Sequence, residues 1–307
     1  MSTRHTGIIL ILISALMFGS YGVWSRLIGD SFEPFYQGWT RALIISVVLL
    51  PILLSRKQLV SIRREDLKWL AVFLIFTSLT QAPLFYAFNH MDIGTATLLF
   101  FVTMLLTMYS VGFLFLGEKI NKAKLASFVF AVVGLYIIFS FSLVAFALFA
   151  ALLAVLNGFA SGGEVAFSKK ISGKYSPLYL VWLSWIVIFI TNALVSFAMG
   201  EIQHLPSLDV VWVYQAGYTV ASIIGFWFII QGLKYAEASV GGLLGLLEIL
   251  FSISMGILLF GEMLTPKIVI GGSFILLAAS FPHIVDMIKK VYGQHKLNVI
   301  KAFRSKY

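Results

Sequence analysis

The sequence predicts an all-α integral membrane protein of ten transmembrane helices, arranged as two inverted five-helix repeats. Composition is the first observation, because 60% of the residues are hydrophobic and only 11% are charged, whereas a soluble domain carries about 25% charged residues. The second is the presence of ten apolar segments, each close to the roughly 20 residues that cross a bilayer. The third is that motifs of the first half return in the second half.

The apolar segments follow one another with short polar loops between them. The predicted spans are 7–28, 34–54, 69–89, 94–116, 124–141, 143–168, 177–198, 210–231, 239–260 and 268–288. The charge-free stretch 125–163 is too long for one span, so we expect two helices that turn near Ser140 or Ser142. No small-residue cleavage site follows the first segment, which we therefore expect to be a span and not a signal peptide.

The basic residues have an uneven distribution over the loops. The chain has a net charge of +9, and nearly all Lys and Arg lie in alternate loops and in the tail, whereas the other loops hold only Arg26 and Lys267. This bias predicts a multi-pass protein of the cell (inner) membrane with both termini cytoplasmic. Topology and anionic lipid headgroups explain the charge, so membrane lipid is an expected partner and nucleic acid is not.

An internal repeat divides the chain. "SVGFLFLGEKI" (110–120) aligns with "SMGILLFGEML" (254–264) at a shift of 144 residues. At a shift of 143, the equivalent pairs are Ser25 and Ser168, Arg26 and Lys169, Pro34 and Pro177, and Trp39 and Trp182. We predict a first repeat over 1–142, a second over 143–288 and a basic cytoplasmic tail over 289–307. Because five spans is an odd number, the second repeat must be inverted, an architecture typical of secondary transporters, although channels and membrane enzymes can also be duplicated.

Several motifs are similar to those of one family. They are "FLGEKI" and "LFGEML", "WTRALI", "LFYAFNHMDIGTATLL" and "IIQGLKYAEASVGGLL", and "LLEILF", which resembles a frequent Leu-Glu-Pro segment. The chain thus resembles the drug/metabolite transporter (DMT) superfamily, specifically its ten-span EamA-type members. The resemblance implies export or exchange of small polar metabolites, often amino acids, through a cavity lined by spans 1–4 and 6–9. Here Ile249 stands at the usual proline, so a proline-driven break of span 9 is not expected, and the local glycines are a possible substitute for it.

Span 9 carries one acid, Glu248. It shares a helical face with Ser252 and with glycines at 241, 245 and 256, and an ionisable group at mid-bilayer costs about 2.5–3.5 kcal/mol on insertion scales. We therefore expect Glu248 to face a hydrated cavity, where it coordinates a substrate ammonium or carries a proton. The alternative is a protonated Glu248 that hydrogen-bonds a neighbouring helix.

Span 2 carries one arginine, Arg41, one turn after Gln37. Its expected depth is close to that of Glu248, which leads to the hypothesis that the two groups lie within salt-bridge or one-water reach. Two alternatives are that Arg41 extends to the outer interface and that it binds the substrate carboxylate directly.

Other polar residues repeat near one helical turn. Glu164 shares a face with Asn157, Ser161 and Ser168, and it is either an inner gate or an interfacial acid paired with a nearby lysine. Weaker cavity candidates, each of which could equally be a helix–helix contact, are Tyr21, Ser25, Thr77, Gln81, Thr103, Thr107, Tyr214, Gln215 and Tyr218. Glu118 and Glu262 end their helices, and we interpret them as structural.

Several functional classes are disfavoured. The chain has no cysteine and only five scattered histidines, so no metal site or cofactor is expected, and it lacks a P-loop for ATP. The loops hold too few acids and histidines for a typical membrane enzyme. The sequence therefore predicts a non-enzymatic carrier that moves a small polar solute by alternating access, with proton coupling as one option, and a channel or a membrane enzyme or scaffold as alternatives.

Overall fold

The structure is a computed structural model that describes residues 3–91, 93–139 and 148–304. All regular structure in these ranges is helical, which confirms the predicted all-α class. The expected turn near Ser140 or Ser142 lies outside the described residues. The helices are α1 (Thr3–Gly19), α2 (Tyr21–Ile28), α3 (Pro34–Ser55), α4 (Leu67–Ser78), α5 (Ala82–His90), α6 (Ile93–Leu116), α7 (Lys122–Phe139), α8 (Leu148–Ser172), α9 (Pro177–Met199), α10 (Val210–Leu233), α11 (Ala238–Gly245), α12 (Leu247–Phe260) and α13 (Pro266–Arg304).

These helices correspond to the predicted spans in order. Span 1 is α1 with α2, span 3 is α4 with α5, span 9 is α11 with α12, and every other span is one helix. Nine segments of the described chain are long and apolar enough to cross a membrane. The third predicted span, 69–89, is not among them because it is divided into helices of 12 and 9 residues. Helix α13 continues past the predicted span and includes most of the basic tail.

Three predicted spans are interrupted. The predictions of uninterrupted helices over 7–28 and 69–89 are therefore wrong at their centres, at Ser20 and at residues 79–81. At the second break Gln81 has a φ of 71°, and Pro83 in the first turn of α5 lacks an amide hydrogen. In span 9 the break falls at Leu246, directly after Gly245. A glycine thus precedes the break where the usual proline is absent.

The packing of the helices shows the repeat. Span 4 packs on span 6 as span 9 packs on span 1, and span 3 packs on span 6 as span 8 packs on span 1. Span 2 packs on its own equivalent, span 7, and span 5 on its equivalent, span 10. The last pair approaches closely, because a Cβ added at Gly134 would lie 2.7 Å from the Gly271 carbonyl oxygen. The main contacts between the halves therefore have their counterparts under exchange of the two repeats.

The bundle has two ends, which we name by their contents. The terminal face holds the start of α1 and the loops 56–66, 117–121, 173–176 and 234–237. Gly7 packs against Tyr235, and Asp66 binds Lys174. The far face holds the loops 29–33, 200–209 and 261–265, where Glu33 accepts the Ile202 amide. Glu118 lies at the terminal face and its equivalent Glu262 at the far face, so the two repeats are inverted.

Candidate functional site

Arg41 lies in the interior of the bundle, on the second turn of α3. Its side chain and backbone together are only 2% exposed. Helix α3 starts at Pro34, and the Glu201 carboxylate from the other repeat accepts the amide hydrogens of Phe35 and Tyr36 at 3.1 and 2.6 Å. This cap fixes the start of α3. The burial of Arg41 contradicts the alternative that its side chain extends to the outer interface.

Aromatic rings surround the guanidinium of Arg41. Its Cζ atom lies 3.8 Å from the ring centroid of Tyr218, 5.6 Å from that of Trp185 and 5.7 Å from that of Tyr21. The rings of Tyr21 and Tyr218 also meet edge to face at 4.6 Å. Cation–π contacts of a desolvated arginine contribute about 2 kcal/mol. The three rings thus hold the cation in place without neutralising its charge.

Most hydrogen-bonding capacity of this guanidinium is unused. Nη2 donates to Gln81 Oε1 at 3.4 Å, whereas Nε and Nη1 have no partner among the residues that the structure describes. A guanidinium has five N–H donors, and buried donors are nearly always satisfied. Four further buried polar atoms also lack a described partner: Tyr21 Oη, Trp185 Nε1, Asn192 Oδ1 and Gln215 Oε1. The cluster therefore combines one positive charge with several unsatisfied polar atoms.

Gln81 reaches Arg41 from the break between α4 and α5. Its positive φ turns the chain at the point where α4 has ended and α5 has not begun. Asn157 on α8 supports the same break, because its Nδ2 donates to the Leu79 carbonyl at 3.4 Å. The structure thus places Asn157 behind Gln81, one layer away from the arginine.

Gln215 on α10 holds α3 in position. Its Nε2 donates to the Gln37 carbonyl at 2.8 Å and to Thr40 Oγ1 at 2.9 Å, and the residue is fully buried. Its free Oε1 atom lies beside the turn that carries Arg41. Gln215 therefore belongs to the support of the cluster and has one acceptor to spare.

Glu248 lies on the first turn of α12, directly after the break in span 9. It is only partly buried, and it is close enough to Tyr21 to interact with it electrostatically. A Cβ added at Gly19 would lie 2.7 Å from the Glu248 carbonyl oxygen, and one at Gly22 would lie 3.3 Å from Ser252 Oγ. Glu248 and Ser252 thus border the break in span 1 that begins α2 and presents Tyr21.

Arg41 and Glu248 do not form a direct ion pair. Among the ion pairs of the described residues, none joins these two side chains. Instead, both groups adjoin Tyr21, Arg41 at its ring face and Glu248 on the side of α12. The direct form of the pairing hypothesis is therefore wrong for this structure.

Glu164 has a different environment from the one that its sequence neighbours suggest. It is buried, and its Oε1 accepts hydrogen bonds from Thr77 Oγ1 at 2.9 Å and from Ser184 Oγ. The alternative that Glu164 pairs with a nearby lysine is wrong, because Lys169 binds Glu118. Two hydroxyl groups on α4 and α9, in place of a lysine, satisfy this carboxylate.

Two members of the cluster are missing from the sequence-based candidates. Trp185 forms one wall of the cage, and Asn192 approaches Gly38, where an added Cβ would lie 3.1 Å from its Oδ1. Both residues lie on one face of α9, two turns apart, next to Ser184, which is the repeat equivalent of Arg41. A polar Asn192 within an apolar span is a signal that could have identified this face.

A metal site is absent from the described residues. No group of three or more His, Asp or Glu is placed there to hold a metal ion. The candidate site thus consists of Arg41, its aromatic cage and the amides around it, with Glu248 at its edge.

Comparison with known proteins gives a consistent family assignment. The EamA-like transporter family model matches residues 5–140 and 148–281. An "Uncharacterized transporter" of Archaeoglobus fulgidus is 24% identical over 268 residues, which are 87% of this chain and 92% of that protein. One solved crystal structure is similar with a TM-score of 0.75 and 15% identity, over 91% of this chain and 98% of the other. At 15% identity this structure supports the fold alone.

Proposed function

The chain belongs to the EamA-like transporter family, and from this premise we propose that it is a secondary transporter that moves small zwitterionic or anionic metabolites, such as amino acids, by alternating access. The observation that carries the proposal is the buried guanidinium of Arg41 with two unsatisfied nitrogens inside an aromatic cage. A buried charge without a protein partner is costly, and a guest carboxylate supplies that partner.

A guanidinium suits a carboxylate for geometric reasons. Its planar array of donors forms short, charge-assisted hydrogen bonds to carboxylate oxygens. The nearby Trp185 Nε1 and Tyr21 Oη are further free groups that an oxygen of the guest can meet. Recognition at this site therefore depends on the acid group of the solute more than on its side chain.

Glu248, beside the break in span 1, completes the proposal. A zwitterion bound with its carboxylate at Arg41 directs its ammonium away from the guanidinium, toward the acid on α12. The same acid can instead carry a proton during the cycle, which links transport to the proton gradient. Both roles use a carboxylate that is partly exposed and has no described hydrogen bond.

Three interrupted spans support this location. The breaks at Ser20, at residues 79–81 and at Leu246 adjoin Tyr21, Gln81 and Glu248 respectively. Transporter sites often lie where discontinuous helices leave backbone groups unpaired. The proposed site thus coincides with the least regular part of the bundle.

The proposal also covers the orientation of the protein in the membrane and the direction of transport. The charge distribution supports a cytoplasmic terminal face in the inner membrane, and the family likeness supports export or exchange. Under this assignment the far face, with its two basic residues Arg26 and Lys267, is outside.

Competition between solutes tests the substrate class. Labelled amino acids are offered to everted vesicles and to proteoliposomes, with and without a pH gradient, together with unlabelled amino acids, their methyl esters or their decarboxylated amines. We expect the free acids to compete and the esters and amines to fail, because only the acids can bind Arg41. Equal competition by the amines would show that the guanidinium does not select the solute.

A Glu248→Gln variant separates the two roles of the acid. If Glu248 carries the coupling proton, the variant still exchanges solute but no longer responds to the pH gradient. If Glu248 binds the ammonium, the variant loses affinity for amino acids and keeps its affinity for solutes without an amine. Normal transport and normal coupling in Glu248→Ala would remove both roles.

A further inference from the structure

Glu118 and Glu262 occupy equivalent positions in the two repeats. Each follows a glycine with a left-handed backbone, Gly117 with a φ of 69° and Gly261 with a φ of 68°. After this turn the Glu118 amide donates to the Gly112 carbonyl at 2.9 Å, and the Glu262 amide donates to its counterpart in α12 at 3.3 Å. The glutamate side chain thereby folds back over the end of its own helix.

The glycines one turn before this end make room for the carboxylates. A Cβ added at Gly112 would lie 2.7 Å from Glu118 Oε2, and one added at Gly256 would lie 2.3 Å from Glu262 Oε2. The pattern of a glycine, four further residues, a second glycine and a glutamate occurs in both repeats. In each repeat it places the glutamate side chain against the first glycine. If the pattern served only to end a helix, the first glycine would not be needed to make room for a carboxylate.

Each glutamate binds a basic residue of the other repeat. Glu118 Oε1 lies 2.9 Å from Lys169 Nζ at the terminal face, and Glu262 Oε1 lies 2.6 Å from Arg26 Nη1 at the far face. Lys169 and Arg26 are themselves repeat equivalents. One interaction therefore occurs twice, once at each end of the bundle, and both times it joins the two halves.

The two copies differ in burial. The side chains of Glu118 and Lys169 are 4% and 22% exposed, whereas those of Glu262 and Arg26 are 51% and 54% exposed. The preceding pair of equivalent serines shows the same difference, since Ser168 is buried and Ser25 is exposed. The glutamate of the terminal face is therefore enclosed by its neighbours, and that of the far face is exposed.

The two copies also differ in their additional partners. Glu118 accepts the amide hydrogens of Ala238 and Ser239, the first two residues of α11, and the Ser239 hydroxyl at 2.8 Å. A carboxylate at a helix N-terminus is stabilised by the free amides and the helix dipole. Burial alone would raise the pKa of Glu118, but Lys169 and these two amides hold the pKa below its usual range. The carboxylate is thus an ionised cap of α11.

Glu262 has no such cap in this structure. Among the described residues its hydrogen-bond partner is Arg26, which also lies over the Phe260 ring at 4.2 Å. The repeat equivalent of the α11 N-terminus is the N-terminus of α6, at Ile93 and Gly94. Within the described ranges, the far-face glutamate forms no hydrogen bond with that helix end.

We infer that Glu118 and Glu262 are alternating helix caps that determine which face of the bundle is open. When the terminal face is closed, Glu118 accepts hydrogen bonds from the N-terminal amides of α11. When the far face is closed, Glu262 accepts hydrogen bonds from the N-terminal amides of α6, and Glu118 no longer binds α11. This inference rests on the alternating access of the proposed function. It assigns the present structure to the state that is open at the far face.

Cysteine reporters at the two equivalent serines test the caps. The chain contains no cysteine, so Ser25→Cys and Ser168→Cys each introduce a single thiol, which is labelled in purified protein with a charged maleimide. We expect Ser25→Cys to react at least about tenfold faster than Ser168→Cys, because a labelling rate follows the population of the open face. Adding Glu118→Gln should slow the Ser25→Cys reaction and accelerate the Ser168→Cys reaction.

Glu262→Gln is the matched variant because it weakens only the opposite state. We expect it to leave Ser25→Cys reactive and to slow Ser168→Cys further. Changes of the same sign in both variants, or no change in either, would overturn the inference. Ser239→Ala, which removes one hydrogen bond to Glu118, should shift both reporters as Glu118→Gln does but less. If Glu118→Gln is unfolded in a melting assay, the labelling rates in Ser239→Ala test the inference instead. Slower labelling of Ser25→Cys with faster labelling of Ser168→Cys would support it, and the opposite changes would overturn it.

The labelling needs no solute and is therefore independent of the substrate proposal. Opposite shifts of the two reporters together with a failure of amino acids to compete would uphold the caps and reject the substrate class. Competition by amino acids without opposite shifts would reject the caps and leave the substrate class standing.

Discussion

Two pairs of polar residues occupy equivalent positions in the two repeats, and the pairs differ in how far their hydrogen bonds are satisfied. At a shift of 143 residues, Tyr21 and Arg41 of the first repeat correspond to Glu164 and Ser184 of the second. In the second repeat the two residues bind each other, because Ser184 donates to Glu164, and Thr77 of the first repeat supplies another hydrogen bond. In the first repeat Arg41 lies over the ring face of Tyr21, and two of its nitrogens have no described partner.

This difference shows which buried charge is available to a guest. Burial and rarity alone do not separate the two, since Arg41 and Glu164 are both 2% exposed. The distinction lies in the hydrogen bonds, which are satisfied around Glu164 and mostly unsatisfied around Arg41. A buried polar group whose hydrogen bonds are all formed stabilises the fold, whereas one that lacks hydrogen-bond partners is available to bind a ligand.

The largest expected effect comes from removing the charge of Arg41. Arg41→Gln should reduce transport about 30-fold or more, because loss of one partner of a buried charge pair costs roughly 2–5 kcal/mol. Arg41→Lys should be intermediate, since lysine keeps the charge but lacks the planar array of donors. Initial rates in proteoliposomes, normalised to folded protein, measure both effects.

Ser184→Ala is the matched control for this prediction, because Ser184 occupies the equivalent position in the other repeat. It should keep transport near the native rate. If Ser184→Ala reduced transport as much as Arg41→Gln does, the proposed asymmetry between the repeats would be wrong.

Substitution of Glu164 should lower stability and leave transport largely unchanged, which is the opposite of the effect expected for Arg41. Glu164→Leu removes the acceptor of the Ser184 hydroxyl, and a buried unsatisfied group costs about 1–3 kcal/mol, so we expect a lower melting temperature in detergent with most of the transport retained. Glu164→Gln keeps an acceptor oxygen and should melt close to the native protein. Loss of transport in a stable Glu164→Gln variant would instead support a gate at this residue.

The smallest expected effect concerns the terminal face and depends on pH. The hydrogen bond from the Lys174 ammonium, together with that from Tyr175, holds the pKa of Asp66 below its usual range. A carboxyl whose pKa is lowered on folding stabilises the fold fully above its unfolded value of about 3.9, and it loses this contribution as the pH falls through the folded value. Asp66→Asn should therefore melt lower than the native protein at pH 7, by an amount that shrinks below about pH 4.

Glu65→Gln provides the control for the pH series. Glu65 is 64% exposed and lies 3.9 Å from Lys174, so its contribution is small. Its melting temperature should follow that of the native protein at every pH. A pH-independent difference for Asp66→Asn would show that packing and not ionisation stabilises this loop.

Much of the fold could be predicted because the membrane imposes length and polarity on each helix. The boundaries of α3, α6 and α9 fall within one residue of the predicted spans, since loops change composition sharply where the bilayer ends. The interruption at Gln81 was not predicted, although Pro83 follows it, because an apolar window does not register a local change in φ. The prediction that Gln81 and Tyr218 face the interior stays a prediction for function, but the structure places both at Arg41.

The sequence by itself determined the number of spans, the duplication and the identity of the three interior ionisable residues, because hydropathy and repeat spacing are one-dimensional properties. Only the tertiary structure decided which charge is satisfied, because hydrogen bonds to Glu164 and the cage around Arg41 join residues far apart in the chain. It also decided which face is closed. The two glutamate motifs are nearly identical, and their different burial arises from the packing of one repeat against the other.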